Sequence, residues 1–124
     1  MTKRILVVED QEDLRGVLRD LLTGSGYDVA EAADGRDGVA KARSERPDLI
    51  LMDIQLPGLD GYETTRQIKS DPKLATTPII AVSSFAMKGD EEKARAAGCD
   101  YYVTKPYSPI GLLHIIRGFL GEQA

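Results

Sequence analysis

The sequence predicts a three-layer α/β/α sandwich built around a parallel β-sheet. Five short apolar runs alternate with five amphipathic stretches along the 124 residues. Two of the apolar runs, residues 49–52 and 79–82, contain no polar residue, which is typical of strands that are covered on both faces. Right-handed crossovers between parallel strands place helices on both sides of such a sheet. We therefore expect five β–α units that form one domain over residues 1–124, with no output domain.

The predicted strands and helices follow one another without long gaps. The strands are expected at residues 4–8, 27–32, 48–53, 78–83 and 100–104. The helices are expected at residues 11–24, 34–45, 62–70, 89–98 and 109–120. Proline and glycine residues fall between these segments, which supports the boundaries because both residues interrupt regular structure.

The apolar faces of the helices differ in strength. The first and last helices carry apolar residues three and four positions apart, which places them on one face that packs on the sheet. These residues are Leu14, Val17, Leu18, Leu21 and Leu22 in the first helix, and Leu112, Leu113, Ile116, Phe119 and Leu120 in the last. The fourth helix has only alanines on its apolar side. Because little buried area implies low local stability, we expect residues 84–97 to move if the domain changes conformation.

Composition argues against several classes of protein. The chain start is too short for a signal peptide and no apolar stretch approaches the length of a membrane span, so we expect a cytoplasmic protein without a membrane contact. The net charge of −4 argues against direct binding of nucleic acid, which needs clustered Lys and Arg. The single cysteine, Cys99, cannot form an internal disulfide and is expected to be a buried, inert thiol.

Acidic residues stand at the ends of two predicted strands. Glu9 and Asp10 follow the first strand, and Asp53 ends the third. The carboxyl ends of parallel strands meet at the edge where open sheets keep their ligand sites. Carboxylates that meet there repel one another unless their pKa values rise or a cation binds between them. For Asp10 alone, the role of a helix N-cap is the alternative.

Hard oxygen ligands of this kind suit Mg²⁺, and Mn²⁺ is expected to substitute for it. We predict direct ligation by Asp10, Asp53 and the backbone carbonyl of Gln55, and a water-mediated contact from Glu9.

A hydroxyl and a cation stand at the ends of two further strands. Ser83 ends the fourth strand, and Lys105 follows the fifth and precedes Pro106. The carboxylate of Asp53 can attack a phosphoryl donor when a metal and a second cation flank the transferring oxygens. Lys105 fits that second cation, and a cis Lys105–Pro106 bond would set its direction. The alternatives are a solvated lysine and, for Ser83, a turn residue.

In order and spacing, these residues resemble the motifs of one known family. The segments are Val7-Val8-Glu9-Asp10, Leu51-Met52-Asp53, Leu56-Pro57-Gly58, Asp60-Gly61, Ser83-Ser84, Gly98-Cys99-Asp100-Tyr101-Tyr102 and Thr104-Lys105-Pro106. They resemble the receiver domain of two-component response regulators, in the CheY-like superfamily, and the match runs from residue 3 to about residue 120. Residues 85–91 further resemble stand-alone regulators of the DivK type.

The resemblance implies a flavodoxin-like sheet with the strand order 2-1-3-4-5. It implies Mg²⁺-dependent phosphorylation of Asp53, with phosphate contacts from Ser83, Ser84 and Lys105. It also implies a switch in which Ser83 moves toward the phosphate and Tyr102 changes rotamer, which reshapes the face formed by the fourth helix, fifth strand and fifth helix. Without the resemblance, Tyr102 is expected to be a half-buried strand aromatic.

Three residues depart from the common pattern of the family. Ser83 stands where threonine is common, Ser84 where alanine is common, and Glu9 where aspartate is common. Serine keeps the hydroxyl of threonine but packs differently, so we expect the phosphoryl lifetime and the metal affinity to differ from the usual range. Tyr107 is expected either to line the partner-binding face or to serve in packing.

The predicted function is that of a single-domain response regulator in a two-component phosphorelay. A histidine kinase or histidine phosphotransfer protein is expected to phosphorylate Asp53, and the phosphorylated protein, a monomer or weak dimer, to bind a protein effector through the switched face. A relay intermediate or phosphate sink is the alternative. No enzymatic activity is expected beyond Mg²⁺-dependent self-phosphorylation and autodephosphorylation.

Other functional classes fit the sequence less well. A P-loop NTPase needs a G-x-x-x-x-G-K-[ST] motif, which the chain lacks. A phosphohydrolase with a nucleophilic aspartate shares the chemistry, but a chain this short has no obvious cap or substrate pocket. A flavin binder would need a phosphate-cradling loop after the first strand. A phosphohistidine carrier would depend on His114, the only histidine, which is expected to be a half-buried helix residue without an adjacent acid.

Overall fold

Strands and helices alternate along the chain in a computed structural model that describes residues 2–84 and 89–121. The strands in these ranges are β1 (Arg4–Val8), β2 (Asp28–Ala32), β3 (Leu49–Asp53), β4 (Ile79–Ser83) and β5 (Tyr101–Thr104). The helices are α1 (Glu12–Gly24), α2 (Gly35–Glu45), α3 (Gly61–Lys69), α4 (Asp90–Ala97) and α5 (Pro109–Leu120). Every predicted boundary lies within one residue of the observed one.

The five strands form one sheet in the order β2-β1-β3-β4-β5, and each neighbouring pair is parallel. The predicted α/β class and strand order are therefore confirmed. Both β3 and β4 are buried along their whole length, as their unbroken apolar runs predicted. A strand that is buried on both faces has no freedom to slip, because every side chain would leave its packing site.

Two apolar clusters, one on each face of the sheet, complete the sandwich. On one face, Leu6, Ile50 and Ala81 lie in the cluster that contains residues of α2, α3 and α4. On the other face, strand residues lie in the cluster that contains residues of α1 and α5. Helices thus cover both sides of the parallel sheet, which leaves its carboxyl edge as the place for a site.

The apolar faces of α1 and α5 are narrower than the sequence predicted. Val17 is 63% exposed, so the prediction that it packs on the sheet is wrong. Phe119 is 38% exposed and contacts the sheet only at its edge strand, where its ring lies edge-on to that of Tyr101 with the centroids 6.1 Å apart. The buried residues of α1 are Leu18 and Leu22. Val17 lies outside the part of the helix surface that faces the sheet. The weak apolar side predicted for α4 is confirmed, since its buried residues are alanines. Of the segment predicted to move, residues 85–88 lie outside the described residues.

None of the helices in the described part of the chain is long and apolar enough to cross a membrane.

The start of α3 approaches the end of β3 closely at Gly61. A Cβ atom at this position would meet the backbone carbonyl oxygen of Asp53 and would lie 2.6 Å from the Cα of Ile54. Backbone atoms cannot move aside as the tip of a flexible side chain can. Glycine is therefore required here because two backbone segments touch, and this contact places α3 directly behind Asp53.

We expect Gly61→Ala to lower the free energy of unfolding by about 1–3 kcal/mol, as overpacking does in well-packed interiors. Gly118→Ala is the matched control, because nothing lies within 4 Å of a Cβ there and alanine is the better helix former by up to about 1 kcal/mol. Urea denaturation of both variants measures the difference. A Gly61→Ala variant as stable as the wild type would show that the approach relaxes without cost.

Candidate functional site

The ends of four strands bring the predicted site residues to one edge of the sheet. Val8 of β1 is paired with Met52 of β3, and Asp53 of β3 is paired with Val82 of β4. Ser83 of β4 is in turn paired with Thr104 of β5. This register places the residues that follow β1 and β5 on either side of Asp53 and Ser83. The sheet alone therefore gathers residues that are almost a hundred positions apart in the sequence.

Three carboxylates lie together at this edge. Glu9, Asp10 and Asp53 each offer an oxygen that is within 4.8 Å of the others. Glu9 and Asp53 are only 2% and 5% exposed, whereas Asp10 is exposed. Two of the three carboxylates are therefore buried and the third is exposed, so a cation can reach the cluster from the side of Asp10.

Glu9 is held by groups from three parts of the chain. Its Oε2 accepts a hydrogen bond from the Gln11 backbone N–H at 3.0 Å, and its Oε1 accepts one from Lys105 Nζ at 3.3 Å. The Arg15 guanidinium donates to its backbone carbonyl at 2.9 Å. Burial raises the pKa of the Glu9 carboxyl, and the charge of Asp53 raises it further, against the lowering effect of Gln11 and Lys105. Burial, the largest cause, thus disfavours the ionised form of Glu9, and the neighbouring Asp53 adds to the effect.

The two carboxylate oxygens of Asp53 have different surroundings. Oδ1 accepts a hydrogen bond from the Gln55 backbone N–H at 3.0 Å, whereas Oδ2 lies 3.8 Å from Lys105 Nζ. The Lys105 side chain is only 19% exposed and contacts both Glu9 and Asp53, so the alternative of a solvated surface lysine is wrong. One oxygen of Asp53 is fixed by the backbone, and the other faces a cation.

The backbone of Lys105 is tied to the end of β4. The Lys105–Pro106 peptide bond is cis. The backbone N–H of Lys105 donates to the Ser83 carbonyl at 2.7 Å, which continues the pairing of β4 with β5 by one more residue. Lys105 and Ser83 therefore share a backbone hydrogen bond at the site.

The side chain of Gln55 has contacts that the sequence did not predict, since only the backbone carbonyl of Gln55 was expected at the site. Nε2 of Gln55 donates to Ser83 Oγ at 2.9 Å, and Oε1 accepts from the Ser84 backbone N–H at 2.9 Å. The register of Asp53 with Val82, extended by two residues, would have placed Gln55 beside Ser84. The chain after β3 is thereby tied to the end of β4.

Two ordinary alternatives for the site residues are ruled out. The N-cap of α1 is Gln11, whose side chain makes no capping hydrogen bond, so Asp10 is not the helix cap. Ser83 belongs to β4 and is fully buried, so it is not a turn residue. Helix capping therefore does not explain Asp10, and a turn does not explain Ser83.

The remaining candidates lie on the two faces of the sheet. Tyr102 is half-buried against the cluster of α2, α3 and α4, and Tyr107 is half-buried against the cluster of α1 and α5. Burial raises the pKa of the Tyr107 phenol, and the charges of Glu9 and Asp53 add to this. Packing is thus one role of Tyr107. His114 is exposed, so the prediction of a half-buried histidine is wrong; it points away from the buried neighbours at 112, 113 and 116.

Residues 5–117 match the model of the response regulator receiver domain. The chain belongs to this family. The receiver is 45% identical over 122 residues to the polar-differentiation response regulator DivK of Brucella ovis. The aligned region covers 98% of this chain and 99% of that protein. DivK of Brucella melitensis matches with the same identity and coverage.

Two solved structures show the same fold as this receiver. One is the receiver domain of a sensor histidine kinase from Pseudomonas aeruginosa, which has a magnesium ion coordinated in its active-site cleft. It has a TM-score of 0.90 at 38% identity and covers 98% of this chain and 100% of that one. The other is the chemotaxis protein CheY4 of Vibrio cholerae, with a TM-score of 0.91 at 28% identity, covering 96% of this chain and 99% of that one.

Cys99 lies in the core rather than at the site. It is 5% exposed and contacts the Thr65 hydroxyl at 3.6 Å. Burial raises the pKa of its thiol, which keeps it in the protonated, unreactive form. The expected buried thiol is confirmed.

We expect Cys99 of the folded receiver to react with dithiobisnitrobenzoate at least about tenfold more slowly than in urea, because the thiolate is the reactive form. The control is the double variant Cys99→Ala/Ser44→Cys, which carries its thiol at an exposed position and should react rapidly when folded. Equal rates for the wild type and the control would show that the thiol is accessible in the native state.

Proposed function

We propose that the protein is a single-domain phosphorylation switch in which Asp53 accepts a phosphoryl group. The observation that carries this proposal is the position of Asp53, which has ligand oxygens of Glu9 and Asp10 within 4.8 Å and Lys105 Nζ at 3.8 Å. A carboxylate with a cation site and an ammonium group beside it has the arrangement that phosphoryl transfer needs. We infer an acceptor of this kind rather than an enzyme that turns over a separate substrate.

The donor set fits Mg²⁺. Three carboxylate oxygens within 4.8 Å of one another are hard ligands with excess negative charge, and Mn²⁺ is expected to substitute. Both Glu9 oxygens are already engaged, by Gln11 and Lys105, which supports a water-mediated contact from Glu9. Direct ligation is assigned to Asp10, Asp53 and the Gln55 carbonyl. When bound, the ion neutralises negative charge on the phosphoryl oxygens.

In the proposed transfer step, a carboxylate oxygen of Asp53 attacks the phosphorus of a phosphohistidine. The new O–P bond makes an aspartyl phosphate, and the P–N bond breaks with its electron pair going to the imidazole, which takes up a proton. Lys105 stabilises the negative charge of the phosphoryl oxygens. Both Ser83 and Ser84 then supply hydrogen-bond donors to those oxygens.

The proposed response reaches the surface of α4, β5 and α5. Ser83 turns toward the phosphate, and Tyr102 on β5 changes rotamer into the space that opens. Because α4 is anchored by alanines, small changes beneath it alter how it packs. A protein effector recognises this surface in the phosphorylated state, and the receiver acts as a monomer or weak dimer.

The proposed donor is a histidine kinase or a histidine phosphotransfer protein. Similarity to DivK and to the receiver of a histidine kinase supports this assignment. We place the protein in the cytoplasm, because phosphohistidine is made there from ATP. The acidic net charge of −4 supports protein partners over nucleic acid.

We expect acetyl phosphate to give a Mg²⁺-dependent phosphoryl adduct on the wild type and none on Asp53→Asn, because only a carboxylate can form the acyl phosphate. Intact-protein mass spectrometry measures the adduct. Asp20→Asn is the matched control, since its side chain is 78% exposed and its adduct should equal that of the wild type. Persistent labelling of Asp53→Asn would identify another acceptor. A folded wild type that no small donor labels would contradict the proposed function.

We expect Asp10→Asn to weaken Mg²⁺ binding by about tenfold or more, because affinity depends on the number of charged ligands. Isothermal titration calorimetry measures the dissociation constant. Asp13→Asn is the control, since Asp13 is an exposed residue in the first turn of α1 and lies outside the carboxylate cluster. Wild-type affinity in Asp10→Asn would remove Asp10 from the metal shell.

A further inference from the structure

The carboxamide of Gln55 uses both of its ends on the two serines of the site. Nε2 donates to Ser83 Oγ, and Oε1 accepts from the Ser84 backbone N–H, each at 2.9 Å. A backbone N–H can only donate, so the amide oxygen must face Ser84 and the amide nitrogen must face Ser83. The orientation of the side chain is therefore determined by the partners themselves.

These hydrogen bonds compete with phosphate contacts. The Ser84 N–H has a single hydrogen, which already points at Gln55 Oε1 and cannot serve a phosphate oxygen at full strength as well. Ser83 is fully buried, whereas the site opens to solvent at Asp10. The Ser83 hydroxyl only accepts from Gln55 Nε2 and keeps its own hydrogen, but the turn of Ser83 toward the phosphate that the proposed function requires would carry its Oγ away from Gln55 Nε2.

The backbone of Gln55 ties this side chain to the acceptor. Its N–H donates to Asp53 Oδ1 at 3.0 Å, so one residue contacts the acceptor carboxylate and both serines. Gln55 is half-buried. Its side-chain hydrogen bonds are therefore partly shielded from water and contribute to the free-energy difference between two conformations. Through these contacts, Gln55 links the phosphorylation state of Asp53 to the position of the Ser83 side chain.

We propose that the Gln55 carboxamide is a positioning residue that holds Ser83 and Ser84 in the unphosphorylated arrangement, and that both hydrogen bonds break when Asp53 is phosphorylated. This inference rests on the proposed function. An interaction that exists in only one of two conformations shifts the equilibrium toward that conformation. Gln55 therefore lowers the population of the active conformation and the apparent affinity for a phosphoryl mimic.

The test titrates beryllofluoride, which mimics an aspartyl phosphate, into the receiver at saturating Mg²⁺ while amide NMR signals are followed. Gln55→Met keeps the length of the side chain and removes both polar groups, so it should bind beryllofluoride about 5- to 10-fold more tightly. Gln55→Ala should change the affinity in the same direction. Gln67→Met is the matched control, because Gln67 makes no side-chain hydrogen bond with the described residues, and it should bind as the wild type does.

A second readout separates this role from mere packing. The side-chain NH₂ of Gln55 in the wild type should exchange faster with solvent once beryllofluoride saturates the site, because its bond to Ser83 is then broken. In a Ser83→Ala background, the gain from Gln55→Met should shrink, because one of the two bonds is already absent.

The outcomes distinguish the inference from the function on which it rests. Equal affinity of the wild type and Gln55→Met would show that the bonds persist in both conformations and would overturn the inference. Weaker binding by Gln55→Met would also overturn it, because Gln55 would then support the phosphorylated arrangement. A wild type that binds no beryllofluoride and forms no phosphoryl adduct would overturn the proposed function, and the inference with it.

Discussion

Repulsion between buried carboxylates at the carboxyl edge of the sheet is the constraint on which the site depends. Glu9 and Asp53 are both almost fully buried and lie within 4.8 Å of each other, where two negative charges repel by about 3 kcal/mol or more at an effective dielectric constant of about 20. Lys105 contacts both groups, and backbone N–H groups of Gln11 and Gln55 bind one oxygen of each. The fold offsets part of the repulsion, and a divalent cation is the natural means of offsetting the rest.

The sheet supplies the stiffness that such a cluster needs. Because β3 and β4 are buried along their whole length, Asp53 and Ser83 cannot shift without disturbing packed side chains on both faces. The contact of Gly61 with the backbone at Asp53 and Ile54 adds a second restraint from α3. In contrast, α4 buries only alanines. A rigid sheet edge beside the weakly anchored α4 is a suitable arrangement for converting a change of charge at the site into a change in the protein surface near α4.

The sequence was enough for most of the fold but for only part of the site. Unbroken apolar runs defined β3 and β4, and the polar residues at the strand ends identified Asp53, Lys105 and their neighbours. Helix faces were less certain, because Val17 has suitable spacing yet lies just outside the arc that contacts the sheet.

The hydrogen bonds of the Gln55 side chain to Ser83 and Ser84 were not predictable from local sequence, because they join the segment after β3 to the end of β4, 28 positions further along the chain. Only the register of the two strands brings them together. Sequence patterns predict which face of a helix or strand is buried. Contacts between the ends of neighbouring strands depend instead on how those strands align.

The hydrogen bond from the Lys105 N–H to the Ser83 carbonyl limits how the receiver can respond. Lys105, whose ammonium group faces Asp53, and Ser83, which offers a hydroxyl, are thereby joined through their main chains. A backbone displacement at either one would carry the other along and lengthen a contact of 2.7 Å. Rotation about the χ1 angle of Ser83 requires no such displacement. The first step of the proposed switch would therefore be a change of the Ser83 side-chain torsion while the main chain stays in place.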